Sequence, residues 1–238
     1  MKKVTFILLL MMAILSFANT GLAQEKPRMG VLRFTNHTSA GWWSGSVGSD
    51  LQDMLISELA SMKSFTVLER KEIDAVLGEQ DLGASGRIDG ATRAKIGQLK
   101  GAQYLVAATV SAYQEDTKGG DAGVTIKGIS VGGKKDNAYI AVDLKVIDTT
   151  TGEIVDARTI EAEAASGGLR AGISRSQFSG GLGGYEKTPA GKAIRACIME
   201  IAEYLECSLV KGRDHKCMQE YDAKEGRRRE KTKKSIKF

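Results

Sequence analysis

The stretch from Tyr113 to Thr149 constrains this chain more than any other. It holds two runs of alternating apolar residues, Val124–Val131 and Ala138–Ile147, around a polar turn rich in Gly, Lys, Asp and Asn. Alternation with period two, broken by turn residues, predicts a β-hairpin. In the second arm Ala138, Ile140, Val142, Leu144 and Val146 share one face, while Asp143 and Lys145 lie on the other. The first arm is Gly-rich. Val124 and Ile126 share a parity that Ile129 and Val131 reverse, so one apolar face requires a bulge at Gly128. Whether the apolar face meets the protein's own interior or lipid decides the function.

The rest of the chain reads as an α/β body. Arg28–Thr35 alternates as a first strand. Asn36–Gly48 is a loop of small and polar residues that carries Trp42 and Trp43; both rings either fold back on the body or have a task of their own. Leu51, Met54, Leu55, Leu59 and Met62 have helical spacing over Ser49–Met62. Ser64–Glu69 predicts a short strand, Arg70–Leu77 a second helix, Gly78–Gly90 a loop and Ala91–Leu99 a third helix. Gln103–Ala112 is a nearly continuous apolar run, as in a strand covered on both faces. Glu153–Ala164 is another strand, and Gly167–Gly184 a second Gly-rich excursion. Pro189 starts a helix with Ala193, Cys197, Ile201 and Leu205 on one face.

The N-terminus has the form of an export signal. Lys2 and Lys3 precede an apolar run at Val4–Ala18, and Gly21-Leu22-Ala23 is a small-x-small cleavage site, so the mature chain is expected to start at Gln24. This divides the sequence into a leader at 1–23, a body at 24–210 and a basic tail at 211–238. No cysteine near the cleavage site offers an acceptor for lipidation. Of Cys197, Cys207 and Cys217, a Cys207–Cys217 bridge can tie the tail to the last helix; three reduced thiols are the other reading. The net charge of +5 is carried by the leader and tail, on a mildly acidic body.

No enzymatic constellation emerges. His37 and His215 lack a second ligand at helical spacing, so no metal site is expected. No phosphate loop, GxGxxG or GxSxG element is present, and no catalytic residue or cofactor is expected. The run EGRRREKTKKSIKF is a solvated charge run or a contact for anionic envelope material, and no nucleic-acid partner is expected for an exported chain.

FTVLERKEIDAVLGEQDLGASGRID, AKIGQLKGAQYLVAATV and YIAVDLKVIDTTTGEIVDA resemble the CsgG family of curli secretion channels, over about 29–205. Leu68-Glu69-Arg70, Gly101–Leu105 and the Asp148–Glu153 turn together carry the resemblance. It implies a periplasmic α/β body with two extended β-hairpins, at about 119–142 and 153–185, that join a transmembrane β-barrel shared by a homo-oligomeric ring; family members are nonamers. It further implies a passive outer-membrane pore for an unfolded polypeptide, without cofactor. Trp42 and Trp43 fall at the channel constriction. Val124, Ile126, Ala138, Ile140, Val142 and Leu144 then face lipid, and Glu161, Glu163 and Arg170 face the lumen. Three features depart from the pattern: the missing acceptor cysteine, tryptophan at both loop positions, and the tail after Lys211. A small-residue strand face backed by charges also suits a soluble sheet with one wet face, so a soluble periplasmic oligomeric scaffold is the alternative.

Overall fold

The computed structural model describes residues 25–118, 124–126, 129–131, 135–165, 168–169 and 188–236. Its centre is one mixed sheet. Strands β1 (Arg28–Val31), β3 (Thr66–Val67) and β4 (Tyr104–Lys118) are parallel, and β2 (Thr35–Asn36) pairs with β4 at Thr109 and Val110. From β4 onward the ladder is antiparallel through β7 (Lys135–Asp148), β8 (Ile154–Ala165) and β9 (Gly168–Leu169). The order across the sheet is β3-β1-β4-β7-β8-β9.

Two helices cover one face. In α1 (Val47–Met62) Leu51, Met54, Leu55 and Leu59 form the buried stripe expected from their spacing. It stops at Lys63, whose left-handed φ of 58° lets its N–H bond to the Ala60 carbonyl. Helix α3 (Pro189–Glu206) starts with Pro189 in its first turn and Thr188 as cap, accepting from Gly191 N at 3.1 Å. Its buried side is rich in alanine (Ala190, Ala193, Ala196, Ala202), which lets the helix approach β7 and β8 closely. Ile201 and Leu205 fill the remaining space, each 0% exposed, and burial of such a side chain stabilises by roughly 1.5–3 kcal/mol.

Beyond α3 a π turn (Cys207–Lys211) leads to α4 (Lys216–Ser235). The Cys207–Cys217 disulfide joins them, and Cys197 stays free and buried against the Ile160 carbonyl. Such a short closed loop stabilises by about 3 kcal/mol. Asp156 on β8 accepts from the Tyr204 hydroxyl at 2.7 Å and from Ser208. Burial, and then this carboxylate, push the Tyr204 hydroxyl up to about 12.

Glu203 and Glu58 sit where α3 meets α1. Burial raises both carboxyls above their ordinary range, and for Glu203 the neighbouring Glu200 adds to it. A raised carboxyl pKa means the fold holds the proton more tightly than the unfolded chain does. The favourable contribution is therefore present below about pH 4.5 and lost as pH rises through the raised value. Glu203→Gln is expected to raise Tm by about 2 °C at pH 7, a screened and modest effect, with the gain vanishing near pH 4. Thermal melts at the two pH values check this; an equal gain at both would show that charge is not its cause.

Several boundaries differ from the sequence reading. The partner of the Ala138–Ile147 arm is β4, paired with β7 from Tyr104↔Asp148 to Lys118↔Lys135. Val124–Val131 is not one arm: β5 (Val124–Ile126) and β6 (Ile129–Val131) pair with each other. The parity change between Ile126 and Ile129 is thus one between two paired strands; the expected bulge position, Gly128, lies outside the described residues. The bulge of this ladder lies between Val110 and Ala112. Helix α2 (Ile73–Ala84) runs through Gly78, and 91–99 contains turns instead of a helix.

Candidate functional site

The sheet has a lower part in which β4 lies between two neighbouring strands and an upper part in which, among the described residues, it has one. At the bottom β4 is flanked by β1 and β7, and β2 takes over at Thr109 and Val110. From Ala112 to Lys118, among the described residues, β4 pairs with β7 alone. At the opposite side β8 ends against the short β9. Among the described residues the upper sheet is thus four strands, β4-β7-β8-β9, with β4 and β9 as its two outer strands.

The tryptophan loop sits where β4 loses its β2 neighbour. Its entry is fixed by His37 N donating to the Val110 carbonyl at 2.9 Å and by Thr38 N donating to Asn36 Oδ1 at 2.9 Å. Its exit is fixed at Gly48, where a Cβ would lie 2.4 Å from the Phe34 carbonyl oxygen, so only glycine permits this approach. The Arg33 guanidinium donates to the Gly45 carbonyl between these points. Trp42 packs edge-to-face on Tyr113 of β4, centroids 5.2 Å apart, and on Trp43 at 5.6 Å. Both rings are half-buried and rest on the core of their own protomer. Trp42 Nε1 is buried and has no hydrogen-bond partner among the described residues, a cost of about 1–3 kcal/mol.

The predicted lipid-facing residues require a correction. Ala138, Ile140, Val142 and Leu144 are each 1% exposed and belong to the core, on the strand covered by α3. Their alternation reports a body strand with one covered face, which lipid cannot reach. For Val124 and Ile126 only the backbone of β5 is described. Glu161 and Glu163 are exposed on the sheet face away from α3. Glu161 borders a cleft of about 390 Å³ between β8 and α4 and lies 3.9 Å from Arg228 Nε. Arg170 lies outside the described residues.

The sequence reading missed a second feature, the arm at 71–100 that leaves the body after Arg70. It is tied at its base, where Arg70 Nη2 donates to the Lys100 carbonyl at 2.8 Å, and Gly83 rests against Ala94. Among the described residues, five of the nine large apolar side chains left exposed are on this arm: Val76, Leu77, Leu82, Ile96 and Leu99. Ile96 reaches 62% exposure. Ile73, Val76 and Leu77 recur at helical spacing, so an apolar stripe was legible; that Val76 and Leu77 stay exposed while Gln80 is buried was not.

No helix among the described residues is long and apolar enough to cross a membrane. The sequence model of one family, described as curli production assembly/transport component CsgG, matches residues 11–236. A putative lipoprotein of Neisseria meningitidis is 29% identical over 161 residues, 67% of this chain and 63% of its own length. The curli production assembly/transport component CsgG of Escherichia coli K12 is 24% identical over 166 residues, 68% of this chain and 60% of its own. The chain therefore spans less than two thirds of either relative. A solved structure of a hypothetical protein from Chlamydia trachomatis aligns over 79% of this chain and 99% of its own, at 13% identity and a TM-score of 0.47.

Proposed function

The chain belongs to the CsgG family, and from that membership we propose that it is the subunit of an outer-membrane channel that passively exports unfolded polypeptide. The observation that carries this reading is the upper sheet, whose two outer strands among the described residues, β4 on one side and β9 on the other, are unlike. Pairing the β4 edge of one copy with the β9 side of the next satisfies both, and a repeated head-to-tail contact closes into a ring. Each copy then adds two hairpins to a common barrel. Ala138, Ile140, Val142 and Leu144 are buried in the body, which leaves lipid contact to the rest of the proposed hairpins, with the 9–11 residues that a tilted strand needs.

One more observation favours neighbours of the same kind: the arm carries apolar surface that the described residues of its own protomer leave uncovered. In the ring the Trp42/Trp43 loops surround the narrowest part of the path, where Trp42 is wedged on Tyr113 and the exposed part of Trp43 faces the conduit. Glu161 and Glu163 lie on the water-facing side of the sheet. The polypeptide is driven by its confinement or by its folding outside, and no nucleotide takes part.

Light scattering on detergent-purified protein and conductance in planar bilayers test the proposal together. A multi-subunit mass with discrete current steps is expected. A soluble, electrically silent monomer would sink it, and a soluble, silent oligomer would establish the scaffold reading instead.

A further inference from the structure

Helix α4 has a task that the channel reading does not absorb. Only Met218 and Tyr221 of its twenty residues are buried, both in the first two turns. Past Glu225 the helix buries nothing, yet its sequence turns strongly basic: seven Lys or Arg and a single Glu between 227 and 237. A solvated half-helix gains nothing from packing, so its charge is its main property.

Its direction is fixed by contacts on β8 and α3. Asp222 pairs with Arg158, and Arg228 Nε lies 3.9 Å from Glu161. Between them Lys224 Nζ meets Glu200 at 2.6 Å, and the Tyr221 ring stands edge-on to Tyr204 at 5.1 Å. From Arg158 to Glu161 a strand climbs roughly 10 Å, and from Asp222 to Arg228 a helix climbs roughly 9 Å. Helix α4 therefore rises alongside β8, in the same direction and at the same rate. Another roughly 10 Å brings its end, Ser235, level with Ala164, at the top of the described part of β8.

The charges at that level are not consumed by the protein. Glu225 engages Arg228 at 2.8 Å and Arg229 at 2.7 Å. Arg227, Lys231 and Lys234 have no ion-pair partner among the described residues and are exposed. They recur at i, i+4 and i+7, so they form one stripe, turned about 100° from the body-facing Arg228. Ile236, 48% exposed, follows directly. A basic stripe ending in an apolar side chain is the composition of a segment that lies on a charged bilayer surface.

We propose that the Arg227–Lys231–Lys234 stripe of α4 docks on anionic phospholipid headgroups of the leaflet facing the body, beside the strands at the height where they leave it. This rests on the channel reading, which puts a bilayer at that height. Repeated around the ring, the stripes form a cationic collar under the barrel. They fix how deep the barrel sits and favour insertion where anionic lipid is present.

The test compares full-length wild type with the variant R227Q/K231Q/K234Q, which keeps good helix formers at three exposed positions. Both are sedimented with vesicles of phosphatidylcholine alone or of phosphatidylcholine mixed with phosphatidylglycerol, and both are assayed for channel steps and ring mass. Wild type is expected to bind the mixed vesicles about 100-fold more tightly than the variant, with the difference screened away at high salt. Equal binding of both proteins to mixed vesicles, or wild-type binding indifferent to phosphatidylglycerol, overturns the inference; normal channel steps alongside leave the channel reading intact. Headgroup-dependent binding by a protein that never conducts supports the stripe and removes the channel. A variant that loses ring mass but keeps vesicle binding shows that the stripe docks on a second copy, and overturns the lipid assignment.

Discussion

Leu77→Glu combined with Ile96→Glu is expected to leave the protomer folded and to abolish the ring, and with it the conductance. Both side chains are exposed in the single protomer, Leu77 at 42% and Ile96 at 62%. Surface substitutions of this kind change protomer stability by about 0.5 kcal/mol or less. In an interface the balance reverses. Covering one such apolar side chain contributes roughly 1–2 kcal/mol, and a glutamate in its place must be desolvated without a partner. Two replacements at every contact cost about 3–5 kcal/mol per interface, a factor of several hundred or more in the association constant. A ring repeats that loss at each joint. Light scattering is expected to report monomers, with an unchanged thermal melt for the protomer. A ring of normal mass would show that the arm serves some other partner.

The second large effect concerns the tryptophan loop. In the proposed channel, Trp42→Ala with Trp43→Ala removes two large rings from every copy and so widens the aperture. Single-channel conductance is expected to rise by about twofold or more, since a hydrophobic constriction limits current through its width and its dewetting. The loop itself is held by backbone contacts at His37, Trp43 and Gly48, so its ends survive the change. The loss of Trp42 packing on Tyr113 is partly offset, because the unsatisfied indole N–H disappears with it. An unchanged conductance would place the constriction elsewhere.

How far the sequence could be read depended on whether a segment's pattern had a local cause. Helix α1 and helix α3 were legible because a single buried stripe writes its period into the residues. The second arm of the opening stretch was legible as a strand for the same reason. Its surroundings were not: period two states that one face is covered but not by what, and α3, far along the chain, covers it. The parity change between Ile126 and Ile129 was visible, and one bulged strand and two paired strands leave the same trace. Helix α2 continues through Gly78, since a glycine inside a helix costs only about 1 kcal/mol. The Cys207–Cys217 pairing required the π turn and the start of α4 to lie side by side, which spacing does not encode. The course of α4 past Arg158 and Glu161 depends on ion pairs between residues 64 and 67 positions apart, beyond any local pattern.

In the proposed ring the β4 and β9 edges are unlike, so no pair of copies satisfies both partners at once, and every arc short of a closed circle carries one free edge of each kind. Growth therefore has no natural stopping point before closure. A copy that joins by one edge but cannot offer the other acts as a terminator, so a small fraction of such copies suffices to poison a whole population of rings.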